Sequence, residues 1–227
     1  MKKFILLIPI ILLLSSFSGD KKIFEGTIVF KMDVEGDFMS MMKSYLPDSY
    51  VFSFKDENVR IRIKGGLLEM MAGNILVTKS GDTYLINDEE KTAWEIKAAG
   101  KNTEFENREA PKVIKLNESE EILGYHCEKY KIVMNEGGNE IVQYIWATDQ
   151  LSLKMKGLES AGVPGYFNYE GLDAFPLKIQ MNVDQMGFNM NLILRAVDIK
   201  NEKFKSSEFQ IPKNYTIKPF ENNFLNF

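Results

Sequence analysis

Apolar and polar residues alternate with a period of two along most of this chain, the signature of strands with one buried and one solvated face. Tyr50, Phe52 and Phe54 alternate with Val51, Ser53 and Lys55. After Asp56-Glu57-Asn58, the residues Val59, Ile61 and Ile63 face away from Arg60, Arg62 and Lys64. That pattern predicts an antiparallel hairpin with a single apolar face. The same reading places strands near 22–34, 74–79, 83–87 and 92–97, punctuated by Gly81-Asp82 and Asn87-Asp88. Further strands are expected at 113–118, 124–134, 140–148, 176–184 and 188–200, with short closing strands at 208–211 and 215–218 around Pro212.

Two segments break the alternation. Asp37 to Leu46 carries Phe38, Met41, Met42 and Tyr45 at helical spacing and stops at Pro47. Asp149 to Ser160 opens on an Asp cap candidate and carries Leu151, Met155 and Leu158. Both read as short helices lying against a sheet, and residues 98–112 read as a long loop. The expected fold is mainly β: a strongly curved antiparallel sheet, or half-open barrel, with short helices as a lid.

The first residues change where such a domain is expected to work. Lys2 and Lys3 precede an apolar core from Phe4 to Leu14, and Ser16-Phe17-Ser18 supplies small residues for a peptidase. A membrane-spanning helix needs roughly 20 apolar residues, so this core predicts a cleaved signal peptide over 1–18 and no stable membrane insertion. A single domain over 19–227 is then exported, periplasmic or secreted. No cysteine follows the apolar core to take a lipid. Loss of Lys2 and Lys3 moves the formal charge from −4 to −6, which disfavours nucleic acid and anionic membrane surfaces as partners.

Candidate chemistry is sparse. His126 and Cys127 are the sole members of their types, so neither a zinc site nor an internal disulfide can be assembled. As neighbours in a strand they point to opposite faces and cannot share a proton. No nucleophile elbow or phosphate-cradling glycine loop occurs. No cofactor and no enzymatic activity are expected. Carboxylates are clustered at Asp88-Glu89-Glu90 and Glu118-Ser119-Glu120-Glu121, leaving a carboxylate-based hydrolase as a third reading. Methionine is abundant, with Met39, Met41, Met42, Met70 and Met71 grouped in two places. Such side chains either fill a core or form a soft surface that accommodates varied apolar partners.

Several segments together carry a resemblance. They are Phe24-Glu25-Gly26-Thr27-Ile28, Ile122-Leu123-Gly124-Tyr125-His126-Cys127-Glu128-Lys129-Tyr130, Tyr144-Ile145-Trp146-Ala147-Thr148 and Glu208-Phe209-Gln210-Ile211-Pro212-Lys213-Asn214-Tyr215. In this order they are similar to an uncharacterised family of secreted Gram-negative bacterial proteins, a domain of unknown function. That family in turn resembles the LolA/LolB lipoprotein-carrier fold. The resemblance implies a soluble periplasmic carrier holding a hydrophobic ligand, such as a lipoprotein acyl chain, in an apolar hollow. Phe52, Phe54, Ile61, Ile63, Trp94, Trp146, Ile179 and Met181 are the candidate cavity residues. Met41, Met42, Met70 and Met71 are the candidate lid. The alternative is an interaction module of the cell envelope, with a filled core and other envelope proteins as partners.

Overall fold

In the computed structural model, residues 23–36, 44–96, 110–136, 139–153, 169, 171–185 and 188–220 are described. Among them the period-two segments become β1 (Gly26–Gly36), β2 (Ser49–Lys55), β3 (Asn58–Lys64), β4 (Asn74–Val77), β5 (Thr83–Asn87) and β6 (Thr92–Ile96). A second run gives β7 (Lys112–Ile122), β8 (Tyr125–Glu136), β9 (Asn139–Thr148), β10 (Phe175–Gln185) and β11 (Phe188–Asn201). The short β12 (Thr216–Pro219) closes the series. All belong to one curved, unclosed sheet in the order β12-β6-β5-β4-β3-β2-β1-β11-β10-β9-β8-β7. Two meanders of consecutive hairpins are therefore joined where β1 pairs with β11.

Local chemistry sets the turns. Asp56 and Glu57 both adopt left-handed backbone, with φ of 48° and 65°, giving the two-residue connection whose twist suits a hairpin. Leu123 and Gly124, at 53° and 81°, do the same between β7 and β8. Between β5 and β6, the Asn87 side-chain oxygen accepts the Glu89 and Glu90 amides at 3.0 and 2.9 Å.

Register places the apolar positions on one face. Phe52 lies opposite Ile61, Ile61 opposite Ile75, Ile75 opposite Leu85 and Leu85 opposite Trp94. In the other meander Leu194, Ile179, Ile145 and Tyr130 continue from strand to strand. Phe24, Phe30, Phe52, Phe54 and Phe175 meet mostly edge-to-face, at centroid distances of 5.4 to 6.4 Å. The opposite face of β4–β6 has its own small cluster, in which Leu76, Ile86 and Ala93 pack against Phe209.

Three expectations change. Residues 208–211 are not a strand: Ser206–Phe209 form a 3-10 turn, because Glu208 folds back to accept the Lys205 amide at 2.8 Å. The second closing strand exists, as β12, but it runs parallel to β6. A helix, α1 (Gly66–Ala72), occupies a stretch left unassigned by periodicity. Of the two expected helices, residues 37–43 and 154–160 lie outside the described residues. Asp149–Leu153 are not helical, and Ser44–Leu46 form a turn. Most of the loop expected at 98–112 also lies outside, while Lys112 already belongs to β7.

Candidate functional site

Helix α1 is launched by two glycines that no other residue replaces without strain. Gly65 and Gly66 have φ of 83° and 65°, and a Cβ on either would collide with Asp48 or with the Leu46 carbonyl. Glu69 completes the first turn: it accepts the Gly65 amide at 2.7 Å and pairs with Lys64 at 3.1 Å. The hydrogen bond and the ion pair hold the Glu69 carboxyl below its usual range. At the far end, the Gly73 carbonyl accepts the Ile63 amide at 3.0 Å.

Although α1 is seven residues of mostly apolar sequence, it buries none of them. Leu67 and Leu68 are exposed, and Met70 and Met71 expose 85% and 52% of their surface. Beside the helix lies an open cavity of about 590 Å³. Its apolar wall is Met70, Met71, Leu85 and Trp94, and Ile86 borders it although its side chain packs on the opposite face. Its polar wall is Lys64, Glu69, Asn74, Asn87, Asp88 and Glu89.

The polar wall is fixed from behind by the C-terminal segment. Asp88 accepts hydrogen bonds from Asn74 at 3.2 Å and from the Tyr215 hydroxyl at 2.7 Å. Arg60 donates to the Asn74 side-chain oxygen at 3.0 Å and to the Glu208 carbonyl at 2.6 Å. One network thus ties β3, β4, the β5–β6 loop and the tail together.

Three predicted site residues, Met70, Met71 and Trp94, come together at this cavity. Six others do not. Phe52, Ile61 and Ile179 expose 0% of their surface, and Phe54, Ile63 and Met181 are also buried. All but Met181 belong to the main hydrophobic cluster, and Met181 receives a hydrogen bond from Gln143 at 3.3 Å. Trp146 lies on the other face from Ile179: it is opposite Lys178 and Lys129, while its neighbour Ile145 is opposite Ile179. Met41 and Met42 lie outside the described residues. Leu85, Ile86, Asn74 and Asp88 were missed as site residues; the Asn87-Asp88 turn signal marked the loop, though not its role.

Other chemistry finds little support. His126 is exposed, whereas Cys127 is buried and its thiol is pushed up to about 11 by desolvation. That is far from the range of a nucleophilic thiolate. The carboxyls of Glu25, Glu69 and Glu120 are all lowered, the opposite of what a general acid needs. No cluster of three or more potential metal ligands occurs among the described residues.

The family model described as Domain of unknown function (DUF4412) matches residues 24–215. The chain belongs to this family. No curated protein matches it. In this DUF4412 member the matched span runs from Phe24, just ahead of β1, through β11 and the 3-10 turn to Tyr215, stopping just before β12.

Proposed function

We propose that this DUF4412 protein is an exported, soluble binding protein that holds an apolar group, either an acyl chain or that of a lipidated partner, in the cavity beside α1. One observation carries the reading. Met70 and Met71 stand exposed next to a hollow walled by Leu85 and Trp94. The volume of about 590 Å³ sits within the ~300–1,000 Å³ typical of small-ligand sites. Burying apolar surface is worth roughly 25 cal/mol per Å², so affinity should grow with the length of alkyl chain laid along Met70, Met71, Leu85 and Trp94. Flexible thioethers let the wall re-pack around different chains. The signal peptide expected at 1–18 is the reason for proposing a periplasmic setting.

Native mass spectrometry of the protein purified from a Gram-negative periplasm tests this, together with uptake of an apolar fluorescent dye. A copurifying lipid and dye uptake that falls in Met71→Glu are expected. An unliganded mass with no dye uptake overturns the reading.

The packed interior around Phe52, Ile61 and Ile179 favours a second reading, an envelope interaction module that docks through α1. Pull-down from envelope extracts without any lipid in the eluate would select it.

A further inference from the structure

We propose that the sheet face carrying Trp146 docks reversibly on an anionic lipid bilayer, through a row of cations that ends beside α1. The inference is independent of what the α1 cavity holds and concerns which surface the protein meets.

Strand register sets the row. Lys129 on β8 lies opposite Trp146 on β9, Trp146 opposite Lys178 on β10, and Lys178 opposite Arg195 on β11. Arg195 lies opposite Lys31 on β1, Lys31 opposite Ser49 on β2, and Ser49 opposite Lys64 on β3. Directly opposed residues share a face, so five cations stand in one line across seven strands. At ~4.8 Å per strand, that line is roughly 30 Å long. Three carboxylates answer the five cations: Glu118 pairs with Lys129, Glu120 with both Lys178 and Arg195, and Glu69 with Lys64. Lys31 is exposed and has no ion pair among the described residues. Flanking positions on this face add Lys131 and Arg62 against Asp33 and Asp198, so an excess of two positive charges stands.

Sheet stability does not call for this arrangement. Lys178, Arg195 and Lys31 face one another on three adjacent strands, and like charges directly opposed are destabilising. A local rule broken without a structural return is expected where a surface has a use. At its β3 end the row reaches α1, because Lys64 meets Glu69 at 3.1 Å. There Leu67, Leu68, Met70 and Met71 are exposed. A bilayer offers anionic headgroups to the cations and hydrocarbon to these side chains, whereas an acidic polypeptide offers charge alone. The chain's formal charge of −4 opposes such a surface at long range. At physiological ionic strength, however, charges beyond about 8 Å are screened, so the face that touches the bilayer decides.

Flotation of the protein purified from a periplasm, with vesicles of equimolar phosphatidylglycerol and phosphatidylcholine or of phosphatidylcholine alone, tests this. Binding is expected to the anionic vesicles only, and to vanish at about 1 M salt. Lys31→Glu is expected to weaken it roughly tenfold and Lys31→Arg to retain it. Lys79→Glu changes the net charge equally, but in the turn between β4 and β5, and is expected to have little effect. Met70→Glu, at a position 85% exposed, is expected to weaken binding as well. Equal binding to both vesicles, binding to neither, a Lys31→Glu loss no larger than that of Lys79→Glu, or full binding by Met70→Glu overturns the proposal. Capture by polyglutamate without vesicle binding would assign the row to an acidic protein partner instead and overturn it too. Dye uptake is expected to survive Lys31→Glu, so loss of vesicle binding and loss of the cavity's ligand are read separately.

Discussion

The Lys178 ammonium sits 4.0 Å from the centre of the Trp146 ring and reaches on to Glu120 at 2.7 Å. Arg195 meets the same carboxylate at 2.8 Å. Lys129 approaches the indole at 5.0 Å and pairs with Glu118 at 2.7 Å. Glu120 belongs to β7, whereas Lys178 and Arg195 belong to β10 and β11, so the contact spans β8 and β9. A tryptophan on the face opposite Ile145 and Ile179 is thereby roofed by charge while also belonging to the buried hydrophobic cluster.

This arrangement makes stability depend on acid in a defined direction. Burial pushes the Glu120 carboxyl up, but hydrogen bonds from Lys178 and Arg195 outweigh it and hold the carboxyl below its ordinary 4.5. A group lowered on folding contributes stability that is present above the unfolded value and fades as pH falls through the folded one. Urea unfolding of wild type should lose midpoint below about pH 4.5. Glu120→Gln should be less stable at pH 7 and show a shallower acid limb. An acid limb identical to wild type would remove Glu120 from this account.

The tail should behave as a strap secured by one aromatic. Phe209 is buried against Leu76, Ile86 and Ala93, and Phe204 packs edge-on to it at 5.4 Å. Phe209→Ala should cost about 3–5 kcal/mol, the usual range for emptying a buried aromatic site. Limited proteolysis should then cut within residues 202–219 before the rest of the chain. Protection equal to wild type would show that the hydrogen bonds of Arg60 and Tyr215 alone hold the strap.

Interior and helix should respond oppositely to truncation. Phe52→Ala, at a position with 0% exposure, should lose about 3–5 kcal/mol by chemical denaturation. Met70→Ala, at 85% exposure, should stay within about 0.5 kcal/mol of wild type. A large loss for Met70→Ala would mean that α1 serves the fold and leave its exposed side chains without a binding role.

The hairpin from Tyr50 to Lys64 was legible because alternation and turn chemistry are both local. Trp146 was not placed correctly, since Tyr144-Ile145-Trp146-Ala147 reads as a continuous apolar run with no polar residue to set its phase. Only pairing with Lys129 and Lys178 assigns its face. Helix α1 escaped for a similar reason, because Leu67, Leu68, Met70 and Met71 show no amphipathic period. The polar wall was out of reach for a different reason. Asn74, Asp88 and Tyr215 meet across as many as 127 residues, a distance that no spacing rule reads. The presence of soft apolar side chains at Met70 and Met71 was legible; the void beside them depends on how β4–β6 end.

The seam between β1 and β11 joins residues 26–36 to residues 190–201. Each half of the sheet can zip up from neighbouring hairpins, yet the seam must wait until almost the whole polypeptide is available. Closing so long a loop is slow, and in the interval β1 and β11 each present a bare, self-complementary edge. A chain still lacking residues 188–201 is thus most vulnerable to aggregation along its open β1 edge.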